Sequence, residues 1–242
     1  MSKILGRIAA IGLGIGIVSL GLAYAVGGGD FDRLVNRSGV FAEACGDGAA
    51  PASERRLAWT GGDAIDIALP ATVHFRGGEG NEIVLRGPPD IIAHIELQGD
   101  RLTLNCRWST GRDLEITLPS QPFRRVNVSG SGKLSMENLD QPELALGISG
   151  SGTLRGQGSV DQLSVVISGS GTGRLAGVAV KQLTAKISGS GNLEAAPKDD
   201  ADISISGSGN VRLLSRPTRL KSHIAGSGRI TQASIDTVEG KK

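Results

Sequence analysis

The sequence predicts an all-β chain, a right-handed parallel β-helix with coils of about 19 residues marked by Ser-Gly-Ser-Gly, the sixth copy having Ala225 in place of the first serine. Three observations predict it. Gly-Ser-Gly recurs six times, beginning at Gly130, Gly150, Gly169, Gly189, Gly207 and Gly226, with steps of 20, 19, 20, 18 and 19 residues. A β-branched residue stands two places before every copy: Val128, Ile148, Ile167, Ile187, Ile205 and Ile224. The residues leading into each copy alternate with period two, as in Leu163-Ser164-Val165-Val166-Ile167-Ser168 and Leu183-Thr184-Ala185-Lys186-Ile187-Ser188. That alternation between bounding glycines reads as strand. A unit this short has one narrow apolar face and no core of its own. Stacked in parallel at about 4.8 Å per coil, the units align those faces into a continuous interior. Right-handed winding is the default for parallel crossovers.

Within each coil, the glycines free φ where the chain turns sharply. One residue beyond the last glycine's neighbour comes an apolar slot: Leu134, Leu154, Leu193, Val211 and Ile230. After Gly171 the slot is Gly173, with Leu175 two places on, so an irregular coil is expected there.

Taken from its start, the chain opens on Lys3 and Arg7 followed by a 19-residue uncharged run over 8–26. Ala23-Tyr24-Ala25 supplies a small-residue cleavage site, so residues 1–25 read as a secretory signal peptide. The run is also long enough for an N-terminal membrane anchor, and Gly12-x-x-x-Gly16 could be a helix-packing face. Both readings place the body outside the cytoplasm, in the periplasm or cell envelope. Residues 26–62 form a linker and lead-in, with Gly27-Gly28-Gly29 as a flexible connection.

From residue 63 strand signals become dense: Ile65, Ile67 and Leu69; Val73 and Phe75; Ile83 and Leu85; Ile95 and Leu97; Leu102 and Leu104; Leu114, Ile116 and Leu118. Gly77-Gly78-Glu79-Gly80, Gly87-Pro88-Pro89 and Gly99-Asp100 separate them as turns. Residues 63–234 thus read as one β-helix, begun with less regular coils and regular over 123–234. A small antiparallel sheet capping the first rung is the alternative. Residues 235–242 are a polar tail.

Composition fits a thin exported solenoid. Glycine is 37 of 242 residues and aromatics are only 3%, which leaves few large anchors for a globular core. Lys3 and Arg7 account for the net charge of +2, so the rest balances 24 basic against 24 acidic residues. Nucleic-acid affinity rests on concentrated positive charge, so nucleic acid is not an expected partner. Cys45 and Cys106 are the only cysteines; exported, they could pair, and Cys106 could equally be a small buried hydrophobe.

Several segments together resemble a known family. They are Asp30-Phe31-Asp32-Arg33-Leu34, Leu69-Pro70-Ala71-Thr72-Val73-His74-Phe75, the stretch Ile95-Glu96-Leu97-Gln98-Gly99-Asp100-Arg101-Leu102-Thr103-Leu104, and the Ile-Ser-Gly-Ser-Gly repeats. The combination resembles the putative auto-transporter adhesin, head GIN domain family of bacterial envelope proteins, from about residue 30 to about residue 234. The resemblance implies an exported right-handed β-helix with no established enzymatic activity. Residues 41–62, with Cys45 and Trp59, look longer than that family's usual approach to the first strand.

Motifs for chemistry are sparse. The repeats match neither G-x-G-x-x-G between strand and helix nor a glycine-rich loop ending in Gly-Lys-Ser/Thr, so no nucleotide site is expected. The residue after each repeat is Lys133, Thr153, Thr172, Asn192, Asn210 or Arg229, not the Asp of a nine-residue calcium repeat. No metal or cofactor is expected. His74, His94 and His223 lie far apart, and each reads as a surface or strand residue. Asp199-Asp200-Ala201-Asp202 reads as a solvated loop, and Arg212, Arg216, Arg219 and Lys221 as a basic patch that could meet anionic glycans or lipid headgroups. A carbohydrate-cleaving enzyme would need clustered carboxylates on one face.

The serines form candidate rows. Ser131, Ser151, Ser170, Ser190, Ser208 and Ser227 fall one per coil, as do Ser129, Ser149, Ser168, Ser188 and Ser206. They could be a hydroxyl ladder for a repetitive polymer, or small turn residues bonded to nearby backbone. The expectation is a non-catalytic, surface-binding or adhesin-like envelope protein. Its partner would be a glycan, another envelope polymer or a protein, with self-association at the open ends another route. The alternatives are a structural or regulatory envelope protein and a polysaccharide-active enzyme.

Overall fold

Period-two alternation becomes strand almost everywhere in the computed structural model, which describes residues 44–46, 51–77, 80–108 and 113–233. The signal-or-anchor segment 1–25 and the tail 235–242 lie outside the described residues. No helix among the described residues is long and apolar enough to cross a membrane. The chain divides into two compact units. In the smaller, the described residues are Ala44 and 105–107, with a parallel bridge joining Ala44 to Arg107. The larger holds everything else.

The regular part of the larger unit is built from β8 (Arg125–Gly130), β9 (Lys133–Gly150), β10 (Thr153–Gly169), β11 (Thr172–Gly189), β12 (Asn192–Gly207), β13 (Asn210–Leu213), β14 (Arg219–Gly226) and β15 (Arg229–Gln232). Consecutive coils pair in parallel, giving the solenoid that the repeats predict. Each long strand contributes to two ladders. The opening residues of β12 pair with β13, and its closing residues pair with β14. The register aligns identical residues: Ile148, Ile167, Ile187 and Ile205 stand in one row, each at most 2% exposed. Leu144, Leu163, Leu183 and Ala201 make a parallel row, also buried. Rows of this kind form the core, because alternate residues of every strand point inward.

Gly173 does not disturb its coil. It pairs in register with Leu154 and Leu193 and is itself buried. A Cβ there would sit 2.8 Å from Leu193 Cδ1, so the neighbouring leucine occupies the space that a side chain would take. Gly156 is filled the same way by Leu175 and Val178, whose methyl carbons lie 2.9 Å from where its Cβ would be. Small against large keeps the interior dense. The irregularities fall later, between Leu175 and Ala179.

At the N-terminal side the architecture is mixed. β2 (Ala64–Ala68) and β3 (Thr72–Arg76) pair in parallel with β8 and β9, and β6 (Arg101–Leu104) and β7 (Glu115–Thr117) pair in parallel with β2 and β3. These are the less regular coils. Beyond them lie antiparallel strands: β5 (Ile95–Gln98) on β6, β4 (Glu82–Gly87) on β7, and β1 (Ser53–Ala58) on β4. The two sequence readings therefore each describe part of this region. Gly87-Pro88-Pro89 is not a simple turn, since α1 (Pro89–Ile92) begins at Pro89 and buries Ile91 and Ile92. Arg55 Nη1 fastens this end by donating to the carbonyls of Ile92 at 2.8 Å and Ile95 at 3.1 Å. Trp59, Phe75 and Phe123 fill it, with edge-to-face ring contacts at 5.6 and 5.9 Å. The lead-in over 26–62 thus contains a strand and a core aromatic.

Candidate functional site

The two glycines of each corner have different duties. The first has positive φ, from 87° at Gly130 to 127° at Gly226. It also stacks on its counterpart one coil earlier: a Cβ on Gly189 would lie 2.6 Å from the Gly169 carbonyl oxygen. The last glycine is close-packed instead. A Cβ on Gly191 would meet Ile167 Cγ2 at 2.5 Å, and one on Gly209 would meet Ile187 Cγ2 at 2.6 Å. Between them the serine amide donates to the earlier glycine carbonyl, as from Ser170 to Gly150 and from Ser190 to Gly169, both at 2.9 Å. Ser131, Ser151, Ser170, Ser190, Ser208 and Ser227 therefore sit one per coil, all exposed, along the corner.

A second set of ladders lies on the outer face of the sheet that β3, β13, β15 and the opening residues of β9 to β12 build. The register aligns Thr72, Lys133, Thr153, Thr172, Asn192, Asn210 and Arg229 in one row. Two residues on, His74, Ser135, Arg155, Arg174, Glu194, Arg212 and Thr231 make the next. Neighbours in a row are one strand spacing apart, about 4.8 Å. His74, Lys133, Thr153, Arg155 and Arg174 border a shallow depression of about 280 Å³. Arg174, Arg212 and Arg229 border another of about 430 Å³ with Asn192 and Asn210, which share a 3.1 Å amide hydrogen bond. Arg155 and Arg174 form no ion pair with a described residue. The strip is flat, hydroxyl- and amide-rich, and locally positive.

The acidic run and the basic patch answer each other. Asp199, Asp200 and Asp202 are part of β12 and not a loop. One coil on, Arg219 grips Asp200 by donating from Nε and Nη2, the longer contact at 2.7 Å. Lys221 lies 3.9 Å from Asp202, and Arg212 lies 3.8 Å from Glu194. Hydrogen bonding to Arg219 holds the Asp200 carboxyl below its ordinary value. The same contact raises the guanidinium. Arg216 donates instead to the Ala233 carbonyl at 3.0 Å.

The remaining candidates stay apart. His94 is bonded through Nδ1 to the Asp90 carbonyl at 2.7 Å, His223 lies on exposed β14, and His74 joins the strip. Among the described residues no grouping of three or more His, Cys, Asp or Glu could hold a metal ion. Cys45 and Cys106 are both disulfide-bonded and buried. Sequence reading weighed the serine corner and passed over the outer strip. The signal was present, since Arg155 and Arg174 share one position of consecutive repeats.

Comparison with curated proteins gives no match. Solved structures do match. A putative adhesin from Bacteroides fragilis NCTC 9343 is 16% identical with a TM-score of 0.60, over 76% of this chain and 98% of that one. A putative lipid binding protein from Parabacteroides distasonis ATCC 8503 is 15% identical with a TM-score of 0.49, over 77% and 98%. A putative adhesin from Parabacteroides merdae ATCC 43184 is 15% identical with a TM-score of 0.41, over 77% and 98%. At these identities the first likeness is one of fold. The family model described as putative auto-transporter adhesin, head GIN domain, matches residues 63–234, and the chain belongs to that family.

Proposed function

We propose that this protein is an exported, non-catalytic binding module of the cell envelope, adhesin-like, that holds an anionic polymer such as an acidic glycan along its outer strip. The observation that carries the reading is the pair Arg155 and Arg174, one coil apart, beside the Thr72 to Arg229 row. A repeating ligand meets a repeating surface, and each coil adds one more weak contact. Guanidinium groups suit carboxylates and sulfates through paired N–H donors, while the Thr and Asn rows supply neutral hydrogen bonds. Family membership supports an adhesin in place of an enzyme. Export rests on the reading of residues 1–25 as a signal or anchor.

The test is binding of residues 26–242 to an array of envelope polymers and glycans. Saturable binding to acidic polymers is expected, weakened at least tenfold by Arg155→Gln with Arg174→Gln and falling as salt rises. Replacing Ser151 and Ser170 with Ala is expected to leave it unchanged. Loss with the serine pair and not with the arginine pair would move the site to the corner. Binding to no polymer class would sink the reading.

A further inference from the structure

The C-terminal end of the solenoid is open among the described residues. Among the described residues β14 pairs only with β12, and β15 only with β13, so none of them bonds to the outer edge of either strand. All eight residues of β14 are exposed. Leu220 and Ile224 stand in register with Ala201 and Ile205, which are 2% and 0% exposed; they themselves are 38% and 41% exposed. Two inward-row residues are therefore uncovered beside a free strand edge.

The charge on this rung is one-sided. Residues 210–233 contain Arg212, Arg216, Arg219, Lys221 and Arg229, and no Asp or Glu. Asp200 and Asp202 face Arg219 and Lys221 from the coil before, and no described residue faces them from the other side. Arg229 has no acid partner among the described residues. A second copy docking by the same end would bring another set of five bases against these. The opposite end finishes in the antiparallel strands β1 and β5, whose outer edges a head-to-tail copy would meet without the parallel register that joins coil to coil.

We propose that this rung is a docking edge for an extended segment of another protein, one that alternates apolar with acidic residues. Its backbone extends the ladder on β14, its apolar side chains cover Leu220 and Ile224, and its carboxylates meet Arg219 and Lys221. This is an addition to the polymer strip and does not depend on it.

The probe is a ten-residue synthetic peptide alternating Val and Glu, with a Val and Lys peptide as control, titrated onto the full chain. Saturable binding of the acidic peptide is expected, with amide hydrogen exchange slowed across Arg219–Gly226. A Lys221→Glu variant should bind the acidic peptide at least tenfold more weakly and gain binding of the lysine peptide. That gain separates a changed surface from a misfolded one. Slow exchange in the free protein at the β14 amides that do not bond to β12 would overturn the proposal, because the edge would already be covered by the chain itself or a second copy. So would absence of binding, or protection confined to other strands.

Discussion

At the scale of single residues, the corner glycines are held by two unlike constraints, and substitution separates them. Gly189 combines a φ of 116° with a contact that would put Cβ 2.6 Å from a carbonyl oxygen. Gly189→Ala is expected to cost about 2–6 kcal/mol, from backbone strain plus overpacking. Gly99 has φ of 65° but nothing within 4 Å, so Gly99→Ala should cost only about 1–2 kcal/mol. Gly62 has neither constraint, and Gly62→Ala should shift stability by less than about 1 kcal/mol, in either direction. Urea midpoints for the three would check the order; equal losses would contradict the stacking described for the corner. The sequence announces these glycines by repetition, yet it cannot separate their duties. Gly191 meets Ile167 across 24 residues of chain, a contact that only the coil spacing creates.

At the scale of elements, register decides everything because side chains alternate with period two. Inserting one residue between 165 and 168 would turn Ile167 and its neighbours outward while β9 and β11 on either side keep theirs inward. Loss of cooperative unfolding is expected, read as a broadened or absent thermal transition by circular dichroism. An unchanged melting curve would refute the register. The strands were legible where apolar residues alternate strongly. β1 was not, since Ser53-Glu54-Arg55-Arg56-Leu57-Ala58 offers one large apolar residue in six. Its place is set by pairing with β4 and by the salt bridges of Glu54 to Arg86 and Arg56, both 2.9 Å. α1 was hidden too, because a four-residue helix starting with proline carries the same local signature as a turn. The meeting of Asp200 with Arg219 was legible in principle, as the two are 19 residues apart and so one coil apart.

At the scale of the whole chain, stability accumulates by stacking, and a cross-link adds to it by restricting the unfolded chain. The sequence holds only two cysteines, both disulfide-bonded. Reduction is expected to remove about 2–4 kcal/mol, the usual worth of a native disulfide. Differential scanning calorimetry with and without reductant, beside a Cys45→Ser, Cys106→Ser variant, measures it. Identical transitions would show that the cross-link adds nothing. The parallel stacking of the regular coils was readable from the repeats alone, while the coils before Gly130 carry no such mark. What could not be read was the end of the stack, since a terminal rung carries the same signature as an interior one and differs only in lacking a neighbour.

Because Gly173 and Gly156 let leucines from neighbouring coils settle into their places, and because each corner bonds to the corners directly before and after it, the stack of coils is graduated like a ruler. Its length is countable: deleting or duplicating one whole repeat would change the strip by a single division, about 4.8 Å, without altering what any division looks like. A chain built this way can lengthen its outer strip in discrete steps, by unequal copying of a repeat of 18 to 20 codons and not by redesign of a site.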